Sequence, residues 1–217
     1  MSYWKNIDDK YTSTTVDKTD AATVKVSKCA GQQVCVELEY NFYNDGSVKV
    51  AFKLVKDASV PEPLRVGMQT QIPAEFSTVT YFGQGEFENY PDRNAGAFLG
   101  VYTTTIDGMR HEYVRPQDCG NRTGVRWLTA AKKGRGVKFV SDENYLNVSL
   151  WPFSEATLES AMHINELPLD TNATVNIDHK IAGVGGVDSW SSHAAPIEAY
   201  RLLENEYEYS FVIVPVR

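Results

Sequence analysis

The sequence has few cysteines, no long apolar run and no cluster of basic residues. Its 217 residues carry 28 acidic and 21 basic side chains, for a formal net charge of -7. The densest basic stretch, residues 132–135, holds only three cations. A nucleic-acid-binding protein needs a basic face to displace counterions, and a membrane-spanning helix needs roughly 20 apolar residues. We therefore expect neither nucleic acid nor membrane as a partner.

The cysteines and histidines show no pattern typical of a disulfide framework or a metal site. Cys29 and Cys35 could pair across a turn, but with Cys119 the count is odd and no C-x-x-C spacing occurs. We expect all three thiols to be free. The four histidines lie far apart in the sequence, without metal-ligand spacing. They are His111, His163, His179 and His193. We expect no metal and no cofactor in this chain.

Several catalytic motifs are also missing. No Gly-x-Ser-x-Gly elbow occurs, and the glycines at 183–186 lack the following helix of a dinucleotide loop. A retaining glycosidase needs two carboxylates about 5 Å apart. Glu86 and Glu88 lie two residues apart in a glycine-rich loop. The alternative interpretation is a tight turn in which Asp92 and Arg93 tie neighbouring backbone together, and we expect no catalytic residue here.

Alternating apolar residues predict strands along most of the chain. Val24, Val26 and then residues 34–42 indicate a half-buried strand. The turn signal at residues 44–47 joins it to residues 48–54 as an antiparallel hairpin. Further strands are expected at residues 64–70, 79–82, 97–104, 123–130, 137–140, 145–150, 174–177 and 207–214. The last has apolar residues on both faces and is expected between two layers.

One segment, residues 154–163, is typical of a helix. Ser154 is a suitable N-cap and Glu155 favours the first turn, while Leu158, Ala161 and Met162 form an apolar stripe. One brief helix among ten or more strands indicates an all-β antiparallel sandwich. No linker divides the chain, so we expect a single domain over residues 1–217.

A glycine-rich loop at residues 183–191 ends on a single tryptophan, Trp190, next to Asp188 and Ser189. Three glycines allow close approach of another surface to the backbone. Trp190 could present its ring to a flat ligand, or it could fill a core, since tryptophan is mostly buried. Aromatic rings mixed with acidic and amide groups, as here and in residues 81–93, suit sugars.

Three segments resemble one family, the C-terminal domain of large bacterial β-galactosidases, which is also the core of the small subunit in two-chain enzymes. Residues 83–93 resemble its Gly-x-Gly-x-x-Glu-Asn-Tyr-Pro-Asp-Arg signature. Residues 120–126 resemble its Gly-x-Arg-x-Gly-x-Arg segment. Residues 176–191 resemble Asn-Ile-Asp followed by Gly-x-Gly-Gly-x-Asp-Ser-Trp-Ser. Ser192 departs from the pattern, because the family often has proline there.

The resemblance implies an antiparallel supersandwich like that of galactose mutarotases. It places the catalytic glutamates, and any Mg²⁺ and Na⁺, in a separate (β/α)8 barrel domain or large subunit. This chain then packs on the barrel, and Trp190, with Asp188 and Ser189, contacts the galactoside. The remaining motif residues are expected to be structural: Glu88, Asn89, Asp92, Arg93, Arg122 and Arg126.

The resemblance also implies a bacterial parent, cytoplasmic or periplasmic, that is a homo-oligomer, and a family domain that begins before Met1. Two other functions are weighed against this one. A mutarotase-like epimerase would need a general acid and base, and His111, His163 and His179 do not fall in segments that resemble mutarotase motifs. A free-standing galactoside-binding module would bind sugar without a barrel.

Overall fold

Thirteen strands and two short helices make up the computed structural model, which describes residues 3–5, 7–18, 22–188, 191 and 194–217. The strands are β1 (Ser13–Lys18), β2 (Thr23–Ala30), β3 (Val34–Phe42), β4 (Val48–Lys56), β5 (Arg65–Pro73), β6 (Thr78–Gly85), β7 (Phe98–Thr105), β8 (Arg122–Val125), β9 (Trp127–Lys132), β10 (Arg135–Ser141), β11 (Leu146–Trp151), β12 (Asn172–Ile181) and β13 (Glu206–Val216). The helices are α1 (Ile106–Met109) and α2 (Glu155–Ser160).

The strands form two antiparallel sheets packed face to face. The large sheet has nine strands in the order β1-β2-β3-β4-β13-β10-β9-β6-β7, and the small sheet has four in the order β5-β12-β11-β8. The main core lies between them, where residues such as Val50, Tyr81, Phe139, Ile177 and Phe211 are almost fully buried. This confirms the all-β supersandwich. Among the described residues, no helix is long and apolar enough to cross a membrane.

The β3–β4 hairpin is confirmed in detail. Val48 pairs with Phe42, and Gly46 adopts a φ of 85° in the connecting turn. A positive φ is costly for residues other than glycine, which explains the turn signal. Val36 and Phe52 face the core, and Glu37 pairs with Lys53 on the outer face.

Two expectations about the first strands and cysteines are wrong, and one strand was not predicted. The strand expected through Val24 and residues 34–42 is a hairpin of β2 and β3, with Gly31 at a φ of 60° in its turn. Cys29 and Cys35 therefore face each other across the hairpin and form a disulfide, with Cα atoms 4.1 Å apart. Only Cys119 is a free, buried thiol in the described part of the chain. The polar strand β1, exposed throughout, was not expected.

The predicted strand at residues 123–130 is also two strands, and they belong to different sheets. β8 lies in the small sheet and β9 in the large one. Gly124, at a φ of 61°, and Arg126 lie where the chain passes between them. The buried positions change from odd to even numbers across the crossing, from Val125 to Leu128, and the apolar Trp127 between them hides this change in the sequence pattern.

The helical prediction is right in its start and wrong in its end. The Ser154 hydroxyl accepts a hydrogen bond from the Thr157 N–H at 3.1 Å, as expected of an N-cap. The helix stops at Ser160, so Met162 leaves the apolar stripe and is exposed. A second helix, α1, was missed because four residues are too few to show a helical period.

Strand β13 lies at the centre of the large sheet, between β4 and β10, but it is not covered on both faces. Tyr207, Tyr209 and Phe211 are buried against the small sheet, whereas Glu206 and Glu208 on the opposite face are exposed. The expectation of two covering layers is therefore wrong for this part of the chain. The apolar residues on its outer face need another explanation.

Candidate functional site

One carboxylate fastens the glycine-rich loop to the loop between β6 and β7. Asp92 Oδ1 accepts a hydrogen bond from the Val184 N–H at 3.1 Å, and Oδ2 accepts one from the Gly185 N–H at 2.6 Å. A Cβ atom at position 183 or 185 would lie 2.6 or 2.8 Å from Asp92 Oδ2. The glycines are therefore required by close approach. The Gly183 N–H also donates to the Tyr200 carbonyl at 2.8 Å.

The same loop is folded back on itself a few residues later. Asp188 Oδ1 accepts from the Ser191 N–H at 2.7 Å, and Oδ2 accepts from the Ser191 hydroxyl at 2.6 Å. Ser189 and Trp190 themselves lie outside the described residues. Asp188 is thus bonded to Ser191, and its contact with a substrate stays a prediction.

Glu88 holds three separate pieces of chain together. Its side chain is only 7% exposed and pairs with the Arg93 guanidinium. It also accepts hydrogen bonds from the Tyr113 hydroxyl and, at 2.6 Å, from the Gly120 N–H. Glu86, in contrast, is exposed, and its carbonyl accepts from Arg122. Through these contacts Glu88 holds the β6–β7 loop against the segments that carry Tyr113 and Gly120.

Asn89 is fully buried and uses its whole amide group. Its Nδ2 donates to the carbonyls of Gln84 and Phe87 at 3.1 and 2.9 Å, and its Oδ1 accepts from the N–H and hydroxyl of Thr123. Its own backbone exchanges hydrogen bonds with Asn121. An amide supplies donors and acceptors at once, which neither a carboxylate nor an aliphatic residue can do. Asn89 therefore joins the β6–β7 loop to β8.

The two arginines of the second signature have different surroundings. Arg122 is 3% exposed and binds the Tyr81 hydroxyl at 3.0 Å and the Glu86 and Gly120 carbonyls. Arg126 lies on the outer side of the large sheet, with its guanidinium carbon 3.8 Å from the Tyr145 ring centroid. Among the described residues neither arginine pairs with a carboxylate.

Asp178 of β12 forms a buried charge cluster with Arg65 and Asp118, which the sequence did not lead us to predict. Asp178 is 1% exposed and lies 2.9 Å from Arg65 Nε, and Arg65 Nη2 lies 3.0 Å from Asp118. Burial raises the pKa of Asp178 to about 7 and also raises that of Asp118, because one guanidinium cannot offset two buried carboxylates. A sequence signal for this cluster exists, because Asp178 is the only acidic residue in β12 and most residues of that strand are buried.

Gly67 is part of the same cluster because it leaves room for Asp178. A Cβ atom there would lie 2.2 Å from Asp178 Oδ1 and 2.5 Å from its Cα. Next to it, Asn176 donates to the Ser149 hydroxyl at 2.9 Å and accepts from Gln69. Asn176 and Asp178 are thus buried polar residues of β12 on either side of the core residue Ile177.

No arrangement for metal binding is found in the part of the chain that the structure describes. It holds no group of three or more His, Cys, Asp or Glu side chains that could bind a metal ion. The described histidines are in separate surroundings. His163 bonds to Glu166 at 2.9 Å, His111 packs on Tyr113, and His179 stacks on Tyr209, where burial lowers its pKa.

The fold is that of the galactose mutarotase class. It resembles the crystal structure of the GalM/aldose epimerase homologue from C. elegans, with a TM-score of 0.50 over 94% of this chain and 68% of that one, at 8% sequence identity. Identity this low shows the fold alone.

The family model "Beta galactosidase small chain" matches residues 1–213, and the chain belongs to this family. It is 35% identical over 179 residues to the β-galactosidase of Priestia megaterium and 34% identical over 187 residues to that of Photobacterium profundum. The β-galactosidase of Vibrio cholerae is 32% identical over 174 residues. The matches cover 80–85% of this chain but only 16–17% of those relatives.

Proposed function

We propose that this chain is a non-catalytic part of a β-galactosidase that hydrolyses terminal β-D-galactosides such as lactose. It packs against the catalytic (β/α)8 barrel of the parent enzyme, on the same polypeptide or on a large subunit. Its loop at residues 183–191 reaches the mouth of the active site, where Trp190 stacks on the galactoside or acceptor sugar.

The proposal rests on the two hydrogen bonds that Asp92 accepts from Val184 and Gly185, which we call the Asp92 clamp. It joins two of the three family signatures through hydrogen bonds between residues more than 90 positions apart. The loop is held at Val184 and Gly185, and Asp188 bonds to Ser191 a few residues later. Positioning of this kind is what a stacking side chain needs, because its ordering cost falls on folding and not on substrate binding.

Substitution of Trp190 in the intact parent enzyme tests the proposal. Loss of one aromatic stacking contact costs about 1 kcal/mol. We therefore expect Trp190→Ala to raise KM for nitrophenyl galactoside or weaken acceptor binding by about fivefold, with little change in melting temperature. Val187→Ala, in an exposed residue of the same loop, is the control and should leave KM unchanged. A large drop in melting temperature with unaltered kinetics would instead identify Trp190 as a core residue.

A further inference from the structure

The outer face of the large sheet carries a row of five apolar residues, of which one is exposed and four are half-buried. Val101, Phe82, Trp127, Val140 and Val212 are register neighbours on five successive strands, β7, β6, β9, β10 and β13. The residues next to them along these strands, such as Tyr81, Leu128 and Phe139, point inward and are buried. We call these five residues the outer row.

None of the outer row belongs to the core. The inward-facing Val137 and Ile213 pack against the core cluster, whereas the members of the outer row do not. Val101 is 62% exposed and its neighbour Leu99 is 52% exposed. The row crosses four strand spacings, or about 19 Å. An apolar row of this length on an open sheet face is unusual for a surface that stays in water.

Two cations border the outer row without a partner of opposite charge. Arg126 lies 5.4 Å from the Phe82 ring centroid, and Lys138 Nζ lies 4.8 Å from that of Trp127. In the part of the chain that the structure describes, neither forms an ion pair. Lysines on the other half of the same face are paired, for example Lys53 with Glu206 and Glu208. The border of the row thus fits an acidic surface.

We propose that the outer row, with Arg126 and Lys138, is the surface on which the rest of the parent β-galactosidase docks. This rests on the proposed function and specifies which face the partner covers. The partner surface has an apolar centre and carboxylates opposite the two cations. More than four fifths of the relatives' length lies outside the matched region. That remainder is large enough to be the partner that covers this face.

The alternative occupant, a second copy of this chain, is disfavoured by charge. A two-fold interface uses the same patch on both subunits, which brings Arg126 and Lys138 of one copy towards those of the other, while Asp142 on the same face is already paired with Lys49. The position of the row also favours the catalytic part. Strand β7 leads from Val101 through Leu99 and the 76% exposed Phe98 back to the loop that holds Asp92. A partner on this face is therefore next to the clamped loop.

Two exposed valines on opposite edge strands of the same sheet give a matched test. Val101 lies on β7 and is 62% exposed, and Val16 lies on β1 and is 64% exposed. The 217-residue chain is mixed with the separately produced remainder of the parent enzyme, and the Kd is measured by sedimentation or calorimetry. We expect Val101→Asp to raise the Kd at least tenfold and Val16→Asp to change it less than twofold. Circular dichroism checks that both variants are folded.

A second variant tests the charges independently. Lys138→Glu is expected to raise the Kd at least fivefold, whereas Lys133→Glu, in the exposed β9–β10 turn, leaves it unchanged. Wild-type Kd values for Val101→Asp and Lys138→Glu in a complex that forms normally would overturn the assignment of this face. So would a homodimer of the isolated chain that Val101→Asp abolishes while binding to the remainder is unaffected. Absence of any wild-type complex would instead contradict the proposed function.

Discussion

Asp92 shows how one side chain can connect distant parts of a sequence. Its two oxygens accept the N–H groups of Val184 and Gly185, and each bond is charge-assisted. An asparagine at this position would offer one acceptor and turn its NH₂ group towards the other N–H. The loop at residues 182–188 should then open more often.

We expect Asp92→Asn to speed amide hydrogen exchange at Val184 and Gly185 by about tenfold or more, since loss of such a bond costs about 1.5–3 kcal/mol. The measurement is hydrogen exchange followed by NMR. Asp57→Asn serves as the control, because it neutralises an aspartate that accepts a hydrogen bond from the Ser59 N–H in a distant turn. Unchanged exchange at Val184 and Gly185 would mean that Asp92 does not hold the loop in solution.

The buried Asp178 makes a second prediction, about pH. Its pKa is raised to about 7 by burial, whereas an unfolded aspartate titrates near 4. Between about pH 4 and pH 7 the folded chain keeps a proton that the unfolded chain has released. Its contribution to stability is therefore full below pH 4 and is lost as the pH rises, by up to about 1.4 kcal/mol per unit.

Urea unfolding at pH 5, 6, 7 and 8 measures this contribution. We expect the free energy of unfolding of the wild type to fall across the series and that of Asp178→Asn to fall less. Asp142→Asn is the control, because the Asp142 pKa is lowered through hydrogen bonds to Lys49 and Ser210 and affects stability at more acidic pH. An equal slope in wild type and Asp178→Asn would show that Asp178 is ionised throughout.

At the scale of elements, the β2–β3 hairpin is strengthened by the disulfide that the cysteine count argued against. Cys29 and Cys35 close a loop of six residues' separation, and chain-entropy estimates give about 2 kcal/mol for so short a loop. We expect reductant to lower the free energy of unfolding of the wild type by about that amount. The Cys29→Ser/Cys35→Ser variant should start at the lower value and be insensitive to reductant. Identical wild-type stability with and without reductant would contradict the prediction.

Elements whose signals are local were predictable, and elements that depend on crossing chains were not. The β3–β4 hairpin follows from alternation and from the turn around Gly46, both contained in some twenty residues. The division into β8 and β9 at Arg126 depends on which sheet each half joins. Likewise, composition counts three cysteines, but pairing of Cys29 with Cys35 depends on register.

The same division applies to the candidate site. Family resemblance pointed to Glu88, Asn89 and Asp92 as structural residues, and the structure places each in a dense set of hydrogen bonds. Their partners could not be read from the sequence. Asp92 binds a loop more than 90 residues away, and Arg65 meets Asp178 only because Gly67 lets their strands approach.

At the scale of the whole molecule, the fold alone does not show whether the chain is part of a hydrolase or is an epimerase. Epimerisation needs a general acid and base facing one sugar. Of the described histidines, His179 is stacked on Tyr209 and His163 is bonded to Glu166. Glycoside hydrolysis needs two free carboxylates, and Glu88 is fully engaged by Arg93, Tyr113 and Gly120.

We therefore expect the isolated 217-residue chain to be inactive in both reactions. It should neither hydrolyse lactose or nitrophenyl galactoside nor speed the mutarotation of fresh α-galactose in a polarimeter. It should also bind galactose and lactose too weakly for calorimetry, because one stacking ring cannot orient a sugar without polar groups that bind the sugar hydroxyls. The parent enzyme is the positive control for hydrolysis. Robust galactoside turnover by the chain alone would overturn the non-catalytic assignment, faster mutarotation would favour an epimerase, and measurable sugar affinity would favour a free-standing binding module.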